Sequence, residues 1–416
     1  MDATCPCRSG AWRRRSWLRA LLLGVVTTAG ADLHDPLDAR IVVGPYLRDV
    51  TSDGMTVAWE TRSAERTAVE FGPEEPLAHR VEEAGRTRFH AVRLTGLSPA
   101  HPILYRVAPA HDDPGGPASP TCRAQLDRGP DHPVTFAVVG DTQDQCGAWG
   151  AIAERIRAER PAFVLHVGDI VEEGGDAGRW QWEFFRPARR LLSTTPLWAV
   201  LGNHEADSSL YYRYFGGPAP GWRQTFVFGD AQFFLVDSER DLSPGSAQHA
   251  WLDETLTRSR SRWRFVAVHR PPFTSDRDEY RDTSRGEGPS GDPRTKPLVP
   301  LLEAHHVDVV FCGHVHAYER SRPLREGRVD EGGVVYVQTG GGGGRLEESA
   351  DTRSWHAAAL RRCHHYVSVS LSGETMELRA YDEEGRLFDV ATRRSHKHRG
   401  SLDAGAAVTL QRRVLR

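Results

Sequence analysis

Five short apolar runs along this chain each stop at a residue able to bind a metal ion. Val134–Val139 runs into Gly140-Asp141, and Phe163–Val167 into Gly168-Asp169. Leu197–Leu201 runs into Gly202-Asn203-His204, Trp263–Val268 into His269, and Val307–Cys312 into Gly313-His314, with His316 two residues on. Helical periodicity lies between them, over Ala148–Glu159 and around Gly178–Leu192. Strands alternating with helices predict an α/β layered domain. Ligands in open α/β sheets collect at the carboxyl ends of the strands. Asp141, Asp169, Asn203, His269, His314 and His316 are therefore expected to converge on one crevice.

Each motif alone has a bland reading. A Gly-Asp after a strand is commonly a helix cap or a turn. Five in order, each directly after a strand, are hard to obtain by chance. Carboxylate, amide oxygen and imidazole together suit borderline divalent metals or iron rather than thiophilic ones. One ion seldom takes six donors, whereas two ions sharing a carboxylate would use them all. The run Gly340–Gly344 reads either as an anion-binding nest or as a flexible hairpin beside the site.

The chain has 416 residues, more than one ordinary core accommodates. Residues 40–127 read as β throughout, with alternating runs such as Met55–Glu60 and His90–Leu94 and turn chemistry at Thr95–Pro99. This pattern predicts a β-sandwich ahead of the α/β domain. The α/β domain is placed at 133–392, its strands after Gly332 completing a second sheet, with 393–416 as a poorly ordered tail. A formal net charge of -3 argues against nucleic acid as a stable partner.

The first 31 residues carry a basic cluster, a short apolar run and Ala29-Gly30-Ala31. They read as a signal peptide, too short to span a membrane comfortably. Arg14-Arg15-x-Trp17-Leu18-Arg19 resembles a twin-arginine signal, and export to the periplasm or beyond is expected. Cys5 and Cys7 would leave with it. Cys122, Cys146, Cys312 and Cys363 allow three pairings, with Cys312 as readily a buried thiol inside its strand.

The ordered set Gly140-Asp141, Gly168-Asp169, Gly202-Asn203-His204-Glu205, His269 and Gly313-His314-Val315-His316 resembles the signature of calcineurin-like metallophosphoesterases. The longer run Gly313–Arg320, and Thr339 with its following glycines, resemble the purple acid phosphatase version. The amino-terminal segment resembles the fibronectin type III-like domain preceding the catalytic domain there, with Trp59 as its core tryptophan and Ile103 where a corner tyrosine is usual.

The resemblance implies an α/β/β/α sandwich holding two metal ions, drawn from iron, zinc or manganese. Carried over, Asp169 would bridge the ions, Asp141 and His316 would hold the first, and Asn203, His269 and His314 the second. His204 would face the substrate phosphate and the leaving group. Purple acid phosphatases carry a tyrosine three residues after the bridging aspartate, where this chain has Glu172; other members carry a histidine two after the first aspartate, where it has Gln143. Glu172 and Gln143 are thus the candidate additional ligands, and the enzyme is expected to be colourless. The implied reaction is hydrolysis of a small phosphorylated substrate, first a phosphomonoester, by hydroxide bridging the metals. The alternatives are a phosphodiesterase or nucleotide hydrolase on the same core, or a degenerate, non-catalytic binding protein.

Overall fold

The computed structural model describes residues 40–112, 117–216, 221, 223–276, 291–347 and 354–395. The expected signal peptide and most of the expected tail lie outside them.

Seven strands come first: β1 (Ile41–Arg48), β2 (Gly54–Glu65), β3 (Thr67–Gly72), β4 (His79–Glu82), β5 (Thr87–Thr95), β6 (Ile103–Pro109) and β7 (Cys122–Ala124). They make two antiparallel sheets, ordered β1-β2-β5 and β4-β3-β6-β7. Alternating apolar side chains such as Val57, Trp59, Val92 and Val107 turn inward, and Trp59 stacks on His90 with ring centroids 5.0 Å apart. This unit is tied to the rest of the chain by tyrosines. Tyr46 and Tyr105 donate to the Tyr214 and Ser193 carbonyls at 3.1 and 2.7 Å, and Tyr214 donates to Glu60 Oε2 at 2.8 Å.

The strands that follow are β8 (Val134–Val139), β9 (Val164–His166), β10 (Leu197–Ala199), β11 (Gln224–Phe228), β12 (Ala231–Val236), β13 (Trp263–Val268) and β14 (Val309–Cys312). The last eight are β15 (Tyr318–Ser321), β16 (Leu324–Arg325), β17 (Arg328–Val329), β18 (Val335–Thr339), β19 (Ala357–Arg361), β20 (His365–Ser372), β21 (Thr375–Asp382) and β22 (Leu387–Arg394). One sheet runs β10-β9-β8-β20-β21-β22 and the other β11-β12-β13-β14-β18-β15-β19. Their facing surfaces share one apolar core, with Phe136 of β8 edge-on to Phe233, Phe265 and Phe311 of the other sheet.

Helices cover both outer faces. Cys146–Glu159 lays Trp149, Ile152, Ala153 and Ile156 on the first sheet, at the 3–4 residue spacing of one helical face. Ala247–Arg258, capped by Ser246 Oγ accepting from His249 N at 3.2 Å, lays Leu252 and Leu256 on the second. The layers are therefore helix, sheet, sheet, helix. Among the described residues no helix is long and apolar enough to cross a membrane.

Three expectations need correcting. The helix around Gly178–Leu192 is in pieces: Ala177–Arg179, a π-helical Trp180–Phe185, and Arg189–Leu192. Pro187 has no N–H to continue the ladder, and the wide π turn lets Trp180, Phe184 and Phe185 all point inward. The strands after Gly332 do not complete one sheet. β18 joins β14 in parallel, but β20 crosses back to pair antiparallel with β8. The tail begins later than residue 393, because Arg393 pairs with Met376 inside β22 and donates from Nη2 to the Gly333 carbonyl at 2.6 Å. Cys122, Cys312 and Cys363 are free thiols, Cys312 fully buried.

Two stability predictions follow from this packing. Phe136→Ala opens the seam between the sheets and should cost about 3–5 kcal/mol in a denaturant melt. His365 is buried, its Nδ1–H donates to the Cys363 carbonyl at 2.9 Å, and its Nε2 has no partner beside the Tyr318 ring. Burial pushes its pKa down to about 4. The unfolded chain therefore binds the extra proton between the ordinary imidazole value and pH 4, so stability should fall as pH drops through that window. His365→Gln should flatten this fall; an unchanged slope would assign the acid sensitivity to other groups.

Candidate metal centre

The two sheets present the carboxyl ends of their parallel strands on one side. β8, β9 and β10 are neighbours in the first sheet, and β13 and β14 are neighbours in the second. The loop after each carries one or two of the six predicted donors. Backbone bonds lace the loops together: Asp141 N donates to the Gly168 carbonyl, Thr142 N to that of Asp169, and Gly313 N to that of His269, each at 2.9 Å.

Tight turns deliver the side chains inward. Asp141, Asp169 and His314 have φ values of 57°, 51° and 72°, in the left-handed region that non-glycine residues seldom occupy. Such strain concentrates where surrounding structure over-determines a position. The glycines before the donors are required by close approach. A Cβ on Gly202 would lie 2.2 Å from Asp169 Oδ1, and one on Gly313 would lie 2.3 Å from Asp141 Oδ2.

Asp169, His269 and His314 place ligand atoms within 4.8 Å of one another. His269 Nε2 lies 3.1 Å from both Asp169 Oδ2 and Asn203 Oδ1. His316 Nε2 lies 3.6 Å from Asp141 Oδ1, and Asp141 also accepts from His314 N at 2.9 Å. The six predicted donors thus stand in one network, with Asp141, Asp169 and His269 buried and Asn203, His314 and His316 half-buried. The imidazoles are aimed by their other nitrogens. His269 Nδ1–H donates to the Val167 carbonyl at 2.9 Å and His316 Nδ1–H to that of Arg345 at 2.7 Å, leaving each Nε2 for the site.

His204 does not join the donors. Its N–H donates to Asp169 Oδ1 at 2.9 Å, its Nδ1–H donates to the Glu172 carbonyl at 2.8 Å, and its Nε2 stands 3.9 Å from Asp169 Oδ2. Its side chain is one-third exposed, against almost nothing for His269 and Asp169.

Glu172 lies against His204, its carboxylate 3.7 Å from Nδ1. Gln143 is fully buried with Nε2 3.3 Å from His316 Nε2, and its Oε1 has no protein partner. Of the two candidate additional ligands, Gln143 is therefore beside Asp141 and His316, and Glu172 is beside His204. The glycine run does not offer a free nest: Gly342 N donates to the Gly140 carbonyl and Gly344 N to that of Asp141, both at 2.8 Å.

One role escaped the sequence reading. Glu205 is buried and accepts from Gly202, Asp169 and Ile170 N–H groups at 2.8, 3.0 and 2.7 Å. It sits in the quoted Gly202–Glu205 motif, so its position was visible but its role was not. Arg270 follows His269, and its Nη1 lies 3.0 Å from His314 Nε2.

Charge is concentrated here. Burial opposes ionisation of Asp169, but the His269 and His204 imidazoles hold its carboxyl well below the usual range. Burial likewise opposes protonation of His269, and the adjacent Asp169 reverses this, lifting its pKa to about 10. His316 rises to about 9 against its own burial, through Asp141. Burial, with Asp169 nearby, pushes Glu205 up to about 7. A cluster that draws positive charge to these nitrogens, offers carboxylate, imidazole and amide donors, and turns Cys312 to the opposite, helix-facing core fits a hard or borderline cation.

Residues 134–318 match the calcineurin-like phosphoesterase family. The chain is 30% identical to purple acid phosphatase 18 of Arabidopsis thaliana over 231 residues, covering 51% of this chain and 50% of that protein. It is 26% identical to probable purple acid phosphatase 20 of the same plant over 327 residues, covering 71% of this chain and 72% of that one. It spans about half the length, or less, of several curated relatives it matches. Among solved structures, purple acid phosphatase PPD1 from yellow lupin (Lupinus luteus) seeds superposes with a TM-score of 0.72 at 20% identity, over 85% of this chain and 74% of that one, a likeness of fold. Residues 134–318 thus form a calcineurin-like phosphoesterase domain, and the chain around it is similar to the purple acid phosphatase-like branch of that family.

Proposed function

We propose that the chain is a dinuclear metal-dependent phosphoric-ester hydrolase acting first on small phosphomonoesters. The observation that carries this reading is the convergence of Asp141, Asp169, Asn203, His269, His314 and His316 at the carboxyl ends of two facing sheets. Asp141 and His316 would hold one cation and Asn203, His269 and His314 the other, with Asp169 shared. Gln143 Oε1, an otherwise unsatisfied acceptor, is the better placed of the two candidate additional ligands. Iron, zinc or manganese bound there would supply Lewis acidity and lower the pKa of water.

The chain's own residues supply the remaining roles. Asn203 and His204 bind the substrate phosphoryl group, whose equatorial oxygens carry the charge that needs stabilising. His204, fixed by its Nδ1–H bond to the Glu172 carbonyl, turns Nε2 to the site and donates a proton from it to the leaving oxygen. Glu205 positions Asp169 and Asn203 by holding the backbone on either side. The same reading makes residues 40–127 a fibronectin type III-like domain, assigns the catalytic domain from residue 133 through β22, and takes residues 1–31 as an export signal, twin-arginine in type. It takes a small phosphorylated molecule as the partner, with no stable nucleic-acid complex.

Metal analysis of purified protein, with aryl phosphate hydrolysis before and after chelation, tests the reading. Turnover that survives removal of both ions would sink it. Faster cleavage of a bis-aryl phosphate than of the monoester would move the activity to diesters. His204→Ala should retain its metal while kcat falls by about 100-fold or more; an unchanged kcat removes the proton-donor role. Asp169→Asn should lose metal content in elemental analysis, and full retention of two ions would end the bridging assignment.

A further inference from the structure

We infer that Glu183, on the π-helical turn, is the positioning residue for His204: it fixes the loop that fixes the imidazole, and so governs proton delivery to the leaving oxygen. The inference rests on the hydrolase reading above and adds to it the group that holds the imidazole's support.

Glu183 is buried in a turn whose other inward side chains, Trp180, Phe184 and Phe185, are aromatic. A carboxylate in such a setting is costly unless its oxygens are paired. Both are. Oε1 takes Nη1 of Arg179, and Oε2 accepts the Glu172 N–H at 2.8 Å. The carbonyl of the same Glu172 accepts His204 Nδ1–H at 2.8 Å. Glu183 and His204 thus grip the N–H and the C=O of one residue.

A second hold runs in parallel from the same turn. Trp180 Nε1 donates to the Gly174 carbonyl at 2.8 Å, and Gly174 N donates to the His204 carbonyl at 2.9 Å. The fit leaves no slack: a Cβ on Gly174 would lie 2.4 Å from the Glu205 carbonyl oxygen. Glu183 and Trp180 therefore hold the two ends of the segment 172–174, and that segment holds His204 at ring and backbone alike. The ring is one-third exposed, so packing constrains it less than it does His269. Its bond to Glu172 decides which nitrogen carries the proton inward and which way Nε2 faces. Short π-helical turns are rare and recur at functional sites; this one brings both arms to the same loop.

The test uses the metal-loaded protein with Glu183→Ala, Glu183→Asp and Glu183→Gln, assayed on phenyl and dinitrophenyl phosphate. Glu183→Ala should keep its metals and KM while kcat on phenyl phosphate falls by about tenfold or more, the cost of misplacing a reacting group by less than an ångström. Dinitrophenolate leaves without a proton, so kcat on its ester should change by about twofold or less. Glu183→Gln keeps an acceptor for the Glu172 N–H and should restore most of the loss. Glu183→Asp, one methylene short, should behave as the alanine variant does, and it carries the test if the alanine variant fails to fold. In a His204→Ala background, Glu183→Ala should cost nothing further. Equal losses on both esters, or the same loss with and without His204, would make Glu183 a general prop and overturn the inference. Heteronuclear NMR of labelled histidine in the zinc-loaded protein, with His204 identified by its absence from His204→Ala, should show a hydrogen-bonded Nδ1–H in the wild type and in Glu183→Gln, lost in Glu183→Ala. An unchanged His204 signal there also overturns the inference. If wild-type protein turns over no ester, the hydrolase reading falls, and the imidazole signal alone decides whether Glu183 fixes His204.

Discussion

A single buried carboxylate holds the centre of this molecule in register. Glu205 has no solvent and takes N–H groups from Gly202, Asp169 and Ile170, so it staples the loop after β10 to the loop after β9. Those loops carry Asn203 and Asp169, and the positive φ is that of Asp169. An anion sealed in an apolar setting is costly unless its lone pairs are satisfied, and here backbone donors satisfy them. The bonds are charge-assisted and come from groups that burial would otherwise leave unpaired. The positive φ of Asp169 and the close approach of Gly202 to it are tolerated because this clamp leaves the backbone no other arrangement.

The rest of the centre is built outward from that clamp in alternating charge. Asp169 draws His269, Asp141 draws His316, and Arg270 reaches His314 from a shell of two further carboxylates. The strands contribute position, the loops contribute chemistry, and the carbonyls of Val167 and Arg345 set which imidazole nitrogen faces inward. This division explains why the donors can be dispersed along the chain. Each needs only a strand of the right length and a turn, which before Asp141, Asp169, Asn203 and His314 a glycine permits.

That division also explains what was legible in the sequence. The run Trp263–Val268 is β13 and Val134–Val139 is β8, because a fully buried strand leaves an unbroken apolar signature. All six candidate donors could be named because each lies in the turn that follows such a run. The segment 178–192 misled, since an apolar helical period does not distinguish α from π winding and Pro187 acts only through the bond it withholds. Strand order misled too: the sequences of β18 and β20 look alike, yet the sheet each joins depends on partners far away in the chain. The role of Glu205 was unreadable for the same reason. A charged residue inside a motif has no visible role until the groups it touches are known, and the Asp169 backbone is remote in sequence.

Cys312 and His314 stand two residues apart, one sealed under helices and the other in the reactive cleft. Because Gly313 intervenes and the pleat ends at Cys312, thiol and imidazole never compete for the same ion. Slippage of β14 by one position against β13 would turn that sulfur from the helix-facing core into the core between the sheets, so the register of a single strand decides which way the thiol points.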